Sequence, residues 1–228
     1  MTEIKNGYVC VFDGSEPSYG GSQMRSPDKS IARCGCGGVA ALDLLLYLDR
    51  YHCADSVPEF KAARQDDKSL VLSNERYQHL LKQLIRKYLP VISPFGMNGI
   101  TLAAGINLFF HRHKMPYRAR WGVSGKKIWQ KAEEMLDKDI PVIMAVGPNF
   151  PFFWQDHKAA FYSEAADGAL YCAAQVKAHF VSLTGMDSEL LKISSWGRMY
   201  YVRRSEFETY VRRYSIKYFS SILYISEK

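Results

Sequence analysis

The stretch that decides the fold is Cys36-Gly37-Gly38-Val39-Ala40-Ala41-Leu42-Asp43-Leu44-Leu45-Leu46-Tyr47-Leu48. The two glycines allow the backbone to turn tightly next to the cysteine. The run that follows is too apolar for a surface helix, so we expect a helix over residues 36–50 that lies inside the domain. A thiol in the first turn of such a helix is close to the positive end of the helix dipole, which favours the thiolate. The stretch therefore predicts a central helix and a nucleophile, Cys36.

A second motif lies in the C-terminal half of the chain. Residues 179–186 predict a strand that begins at His179, and residues 190–194 predict the next strand, which leads into Ser194-Ser195-Trp196-Gly197. An imidazole can activate a thiol and protonate a leaving amine, and a third group on its other nitrogen fixes its orientation. We therefore hypothesise a catalytic set of Cys36, His179 and Ser194. Ser195, Asp187 or a backbone carbonyl are the alternatives for the third member.

This order of motifs resembles the papain-like cysteine peptidases, whose last motif is Asn-Ser-Trp-Gly. The separation of 143 residues between Cys36 and His179 lies within the ~130–150 expected of that family. The cysteine helix is more similar to the bacterial double-glycine-leader peptidases, which process bacteriocins and carry Cys-Gly-Pro-Thr/Ala at this point. The resemblance covers roughly residues 34–48 and 179–207. It implies an acyl-enzyme mechanism, a peptide or protein substrate, and a role for Ser195 and Trp196 in lining the site, with Trp196 shielding the histidine.

Two departures from the family pattern bear on activity. Ser194 stands where the family has Asn or Asp, and an uncharged hydroxyl stabilises an imidazolium less than a carboxylate does. The family also places an oxyanion-binding glutamine shortly before the cysteine, whereas Ser30 is six positions before Cys36 and Gln23 is thirteen positions before it. We take Gln23 as the oxyanion candidate. A catalytically inactive binding module of the same fold is the alternative function, and hydrolysis and acyl transfer are equally compatible with the pattern.

The order of predicted elements, helices first and strands later, favours an α+β fold with a cleft between two lobes. We expect one papain-like domain over residues 1–228, with a helical lobe at about 34–115 and a sheet lobe at about 116–228 that also takes an N-terminal strand, residues 7–12. Residues 13–33 are rich in Gly, Ser and Pro and predict a loop. A turn is predicted at residues 93–96, and Ser124 is predicted to cap a helix.

Charge and cysteine usage narrow the functional class. The net charge of +7 is mildly basic, and no nucleic-acid-binding motif accompanies it, so we expect no nucleic-acid partner. We find neither a signal peptide nor the ~18 apolar residues of a membrane helix, and an odd count of five cysteines suits a reducing compartment. We therefore expect a cytoplasmic protein without a membrane partner. Cys34 and Cys36 lack the second ligand pair of a structural zinc site, and no metal or cofactor is expected.

Overall fold

The structure is a computed structural model, and it describes residues 1–12, 14, 16–65, 69–91, 96–123 and 127–228. Ser93, Pro94 and Phe95 of the predicted turn and the predicted cap Ser124 lie outside the described residues.

Helices predominate in the first half of the described chain and are sparse in the second. In chain order they are α1 (Lys29–Cys34), α2 (Cys36–His52), α3 (Pro58–Ala63), α4 (Asn74–Tyr88), α5 (Gly99–Arg112), α6 (Lys127–Asp137) and α7 (Arg204–Tyr214). A short 3-10 helix, Gln23–Arg25, precedes α1.

The strands gather in the second half of the chain. They are β1 (Thr2–Glu3), β2 (Cys10–Phe12), β3 (Val71–Ser73), β4 (Tyr117–Trp121), β5 (Val142–Val146), β6 (Ala159–Glu164), β7 (Leu170–Val176), β8 (His179–Met186), β9 (Leu190–Ser195), β10 (Arg198–Arg203) and β11 (Ile222–Glu227).

One antiparallel sheet runs in the order β4-β11-β5-β8-β9-β10-β6-β7, and β1 adds to it by pairing with β8. Its centre is β8, which pairs antiparallel with β5 on one side and with β9 on the other. The chain is therefore a mixture of helices and antiparallel sheet, which confirms the predicted α+β class. The β8–β9–β10 meander brings the start of β8 and the end of β9, where His179 and the serines lie, into one region of the sheet.

Helix α2 is buried along nearly its whole length, from Gly37 to Asp49. It packs against β8 on one side and against α4 and α5 on the other. Glycine suits the close contact at its first turns, because a Cβ at Gly37 would stand 3.0 Å from the Met97 sulfur and a Cβ at Gly38 would stand 2.8 Å from the Ile85 side chain, so that these side chains would have to move. The Gly-Gly pair thus permits the cysteine end of α2 to sit between its neighbours.

Two parts of the first third of the chain differ from the sequence prediction. The strand predicted at residues 7–12 covers only Cys10–Phe12, and it pairs in parallel with β3 instead of joining the sheet lobe. The loop predicted over residues 13–33 contains α1, because the Asp28 carboxylate accepts hydrogen bonds from the N–H groups of Ser30 and Ile31 and so caps a helix there.

Truncation of α2 tests how far the fold depends on its burial. Leu45 is fully buried, and we expect Leu45→Ala to lower the free energy of unfolding by about 2–5 kcal/mol through lost apolar contact and a residual cavity. Leu108 in α5 is 51% exposed, so the matched change Leu108→Ala should change the free energy of unfolding by less than about 0.5 kcal/mol. Urea unfolding of the three proteins measures both values. Equal losses at the two positions would contradict the central role of α2.

Candidate active site

A cavity of about 900 Å³ opens beside the first turn of α2. Cys36 and His179 both border it, together with Gln23 and Trp196. Four residues that are far apart in the sequence and were assigned to one site therefore line the same space.

Cys36 is the first residue of α2, and Gly35 before it serves as the N-cap. The residue is half-buried, with its exposed part facing the cavity. Burial raises the pKa of the Cys36 thiol, and hydrogen bonds from the backbone of Phe180 and Gly37 lower it only in part. This direction is opposite to the one expected for a thiolate at a helix N-terminus, because removal of the sulfur from water outweighs these hydrogen bonds.

His179 is buried at the start of β8, with 8% of its surface exposed. Its Nε2 is 2.8 Å from the hydroxyl oxygen of Ser195, and its ring stacks on Trp196 with centroids 4.6 Å apart and planes inclined by 26°. Burial lowers the pKa of His179 to about 4. At neutral pH the imidazole is therefore uncharged, and with Nε2 engaged by Ser195 the other ring nitrogen, Nδ1, is left for proton exchange.

Ser194 does not contact the histidine, which corrects its assignment as the third member. Its hydroxyl donates a hydrogen bond of 2.7 Å to the backbone carbonyl of Tyr19. The reason is the pleat of β9, on which successive side chains point to opposite faces, so that Ser195 and Ser194 cannot both face the imidazole. The alternative Asp187 is also occupied elsewhere, since its carboxylate accepts from the N–H groups of Glu189 and Leu190 in the β8–β9 turn.

Gln23 is buried in the short 3-10 helix before α1 and borders the cavity with Cys36 and His179. Within the described chain, no hydrogen bond from another residue engages its side-chain amide. The thirteen positions between Gln23 and Cys36 are bridged because α1 folds as a compact helix in between. Its amide is a donor that faces the candidate nucleophile's cavity.

Asp43 is the residue of this region that the sequence analysis did not assign a role. It is a carboxylate inside the apolar run of α2, it is 1% exposed, and burial raises its pKa to about 7. Its oxygens accept hydrogen bonds from Tyr77 at 2.7 Å, from the Gly21 N–H at 3.0 Å and from Tyr8 at 3.4 Å. The available signal was the single charge between Val39 and Leu48, where only apolar residues otherwise occur.

Other reactive side chains lie apart from this arrangement or beside it. Cys34 is buried at the end of α1 and borders the same cavity, and His157 stacks on Tyr214 with ring centroids 3.8 Å apart. All five cysteines are described, and none of them forms a disulfide. Among the described residues there is no cluster of three or more His, Cys, Asp or Glu side chains suited to a metal ion, and none of the described helices combines the length and apolarity needed to span a bilayer.

Comparison of the chain with models of known protein families, with curated proteins and with solved structures gives no match.

The low pKa of His179 predicts a specific pH dependence of stability. Between pH 6.5, the ordinary pKa of histidine, and pH 4, the unfolded chain binds a proton that the folded chain does not, so the free energy of unfolding falls as the pH is lowered. We expect wild type to lose on the order of 2–3 kcal/mol more than His179→Gln between pH 7 and pH 4.5. Urea unfolding at the two pH values measures this difference.

The matched control is His79→Gln, because His79 is an exposed histidine of α4. It should keep the pH dependence of wild type. Asp43, whose pKa is raised, acts with the opposite sign, but it is present in all three proteins and cancels in the comparison. The same pH dependence in wild type and His179→Gln would contradict a buried neutral imidazole.

Proposed function

We propose that the protein is a papain-like cysteine peptidase or related amide hydrolase in which Cys36 is the nucleophile and His179 the acid and base. The observation that carries the proposal is that Cys36 at the start of α2 and His179 at the start of β8 border one cavity, with His179 held by Ser195 and covered by Trp196. A thiol and an imidazole beside one cavity are the two groups that thiol-dependent acyl transfer uses.

The reaction follows from a neutral resting pair. As the Cys36 sulfur forms its bond to the substrate carbonyl carbon, its proton passes to Nδ1 of His179, and the carbonyl oxygen takes up the negative charge. The N–H of Cys36, which has no partner within the helix, and the Gln23 amide are the donors placed for that charge. The imidazolium then protonates the leaving amine as the carbon–nitrogen bond breaks. Water, deprotonated by His179, releases the acyl group and regenerates the thiol.

Ser195 takes the place of the family's asparagine in this proposal. Its hydroxyl can accept the proton of Nε2–H, which fixes the tautomer that leaves the Nδ1 lone pair for the thiol. The stacked indole of Trp196 keeps water from that hydrogen bond. A neutral partner supports the imidazolium less than a charged one would, so we expect an enzyme that relies on its oxyanion donors.

The second candidate is a binding module that has the same fold and no catalytic activity. The observation in its favour is the electrostatic balance of the pair, because burial raises the pKa of Cys36 and lowers that of His179, and both effects oppose charge separation. The two candidates differ in whether Cys36 reacts with an acyl donor.

Substitution of two polar groups, Cys36 and Ser195, tests the catalytic proposal. We expect Cys36→Ala to abolish hydrolysis, since the sulfur makes the covalent bond, and Ser195→Ala to lower kcat by about 10–100-fold, a part of the roughly 10²–10⁴-fold that positioned acid–base groups supply. Turnover of a fluorogenic peptide library by the purified variants measures both effects.

Cys34→Ala is the matched control, because Cys34 borders the same cavity and should be dispensable. Hydrolysis by Cys36→Ala equal to that of wild type would refute the proposal. Loss of activity in Cys34→Ala but not in Cys36→Ala would transfer the nucleophilic role to Cys34.

Part of the lining of the cavity is apolar. It includes Met97, Val146, Phe153, Phe180 and Phe219. Phe153 belongs to an aromatic loop after β5 and lies near Phe219, with ring centroids 6.4 Å apart. These side chains support a substrate that presents a bulky apolar group beside the scissile amide.

Two neighbouring phenylalanines allow a matched test of this wall. Phe153 is 55% exposed and lines the cavity, whereas Phe152 is 46% exposed and is not among the residues that line it. We expect Phe153→Ala to raise KM about tenfold for peptides with Leu or Phe next to the cleaved bond, because a substrate that covers the exposed Phe153 ring gains part of the ~1.5–3 kcal/mol that full burial of such a side chain is worth. Phe152→Ala should leave KM within twofold. Steady-state kinetics on one such peptide decides, and equal KM in both variants would contradict the assignment.

A further inference from the structure

Residues 19–21, which lead into Gln23, are each held in place by at least one hydrogen bond. The N–H of Tyr19 donates to the Gly197 carbonyl at 2.9 Å, and the N–H of Gly20 donates to the Val9 carbonyl at 2.7 Å. Two further tethers come from side chains near the active site. Ser194 donates to the Tyr19 carbonyl at 2.7 Å, and Asp43 accepts from the Gly21 N–H at 3.0 Å.

Glycine at two consecutive positions allows this close approach. A Cβ on Gly20 would lie 2.1 Å from the Ser194 hydroxyl oxygen and 2.8 Å from an Asp43 carboxylate oxygen, and Gly20 has a φ of +81°. A Cβ on Gly21 would lie 1.9 Å from the Tyr77 hydroxyl oxygen. The backbone of the segment therefore rests directly on polar side chains, where any other residue would displace it.

Asp43 connects this segment to the nucleophile through a rigid element. It follows Cys36 by seven residues in α2, which is about two turns and places both on the same side of the helix. Both residues border one small cavity, which Gln23 and Ser194 border as well. None of the ion pairs between described residues involves Asp43, so its buried carboxylate is compensated by the Gly21 N–H and the hydroxyls of Tyr8 and Tyr77.

A buried, unpaired carboxylate destabilises a fold unless its hydrogen bonds compensate it, and an apolar residue would serve the core of α2 better. The presence of a carboxylate at position 43 is thus explained by its hydrogen bond to the segment before Gln23. Ser194, which the family pattern would assign to the histidine, holds the same segment from the sheet side.

We propose that Asp43 and Ser194 are positioning residues that hold residues 19–23 so that the Gln23 amide meets the oxyanion. This inference rests on the proposed function of Cys36 and Gln23 and adds how the oxyanion donor is placed. Asp43 lies in α2 and Ser194 in β9. Each affects the reaction only by placing the Gln23 amide.

Two reactions of the same sulfur separate oxyanion stabilisation from nucleophilicity. In acylation by p-nitrophenyl acetate, the sulfur bonds to the carbonyl carbon, the thiol proton passes to His179, and p-nitrophenolate leaves after charge has formed on the carbonyl oxygen. In alkylation by iodoacetamide, the sulfur displaces iodide from a saturated carbon, and no oxyanion forms. The ratio of the two rates, each corrected for the rate of Cys36→Ala, therefore reports on the oxyanion donors alone.

We expect this ratio to fall about tenfold or more in Gln23→Ala and by about tenfold in Asp43→Asn and Ser194→Ala, with alkylation within twofold of wild type. Asparagine offers one acceptor oxygen where Asp43 uses two, so Gly21 or Tyr77 loses its partner. Ser194→Thr, which keeps the hydroxyl, should restore the ratio. The double variant Gln23→Ala/Asp43→Asn should fall no further than Gln23→Ala, because both act on one donor.

Asp49→Asn is the matched control. Asp49 is also a buried aspartate of α2, but its carboxylate accepts from the Val57 N–H at 2.9 Å and from Ser56 at 3.0 Å, at the far end of the helix. Its loss should lower stability, measured by urea unfolding, without a change in the ratio of rates.

The outcomes distinguish this inference from the proposed function. An unchanged ratio in folded Asp43→Asn and Ser194→Ala, or a fully additive double variant, would overturn the positioning role while Cys36 and Gln23 keep theirs. Acylation of Cys36→Ala at the wild-type rate would overturn the proposed function itself, and the inference with it.

Discussion

Burial of α2 is the constraint on which the rest of the structure depends. A helix without a polar face needs cover on every side, and the sheet supplies it through β8 while α4 and α5 supply it from the other side. The first turn of α2 then emerges where these elements meet, at the edge of the large cavity. This packing sets the position of Cys36, the proposed nucleophile.

The same burial sets the electrostatics of the site. It raises the pKa of Cys36 and lowers that of His179 to about 4, which favours an uncharged thiol beside an uncharged imidazole; in the proposed reaction, charge then arises only when a substrate binds. A site of this kind depends on preorganised donors for the oxygen that becomes negative, because it holds no resting ion pair. The hydrogen bonds that hold residues 19–23 matter in the proposed reaction because they place one of these donors, the Gln23 amide.

The central elements could be predicted from sequence because their apolar residues follow a clear period. Strand β8 covers the predicted residues 179–186, and α2 covers the predicted residues 36–50 and extends to His52. The pairing of β2 with β3 could not be predicted from sequence, because β3 is three residues long and has no periodic signal. For the site, residue types and spacing were enough to bring together Cys36, His179 and Gln23. They could not choose between Ser194 and Ser195, because that choice depends on the face of β9.

The adjacent serines at the end of β9 have an evolutionary consequence. Ser195 faces the imidazole of His179, whereas Ser194 faces the backbone carbonyl of Tyr19 in a different layer of the molecule. Selection on the two positions is therefore decoupled although they are neighbours in the chain. In homologous chains, the residue at 195 should covary with the residue at 179, and the residue at 194 with the glycines at 20 and 21. An insertion or deletion of one residue in β9 would exchange the two side chains between layers and disrupt both sets of contacts at once.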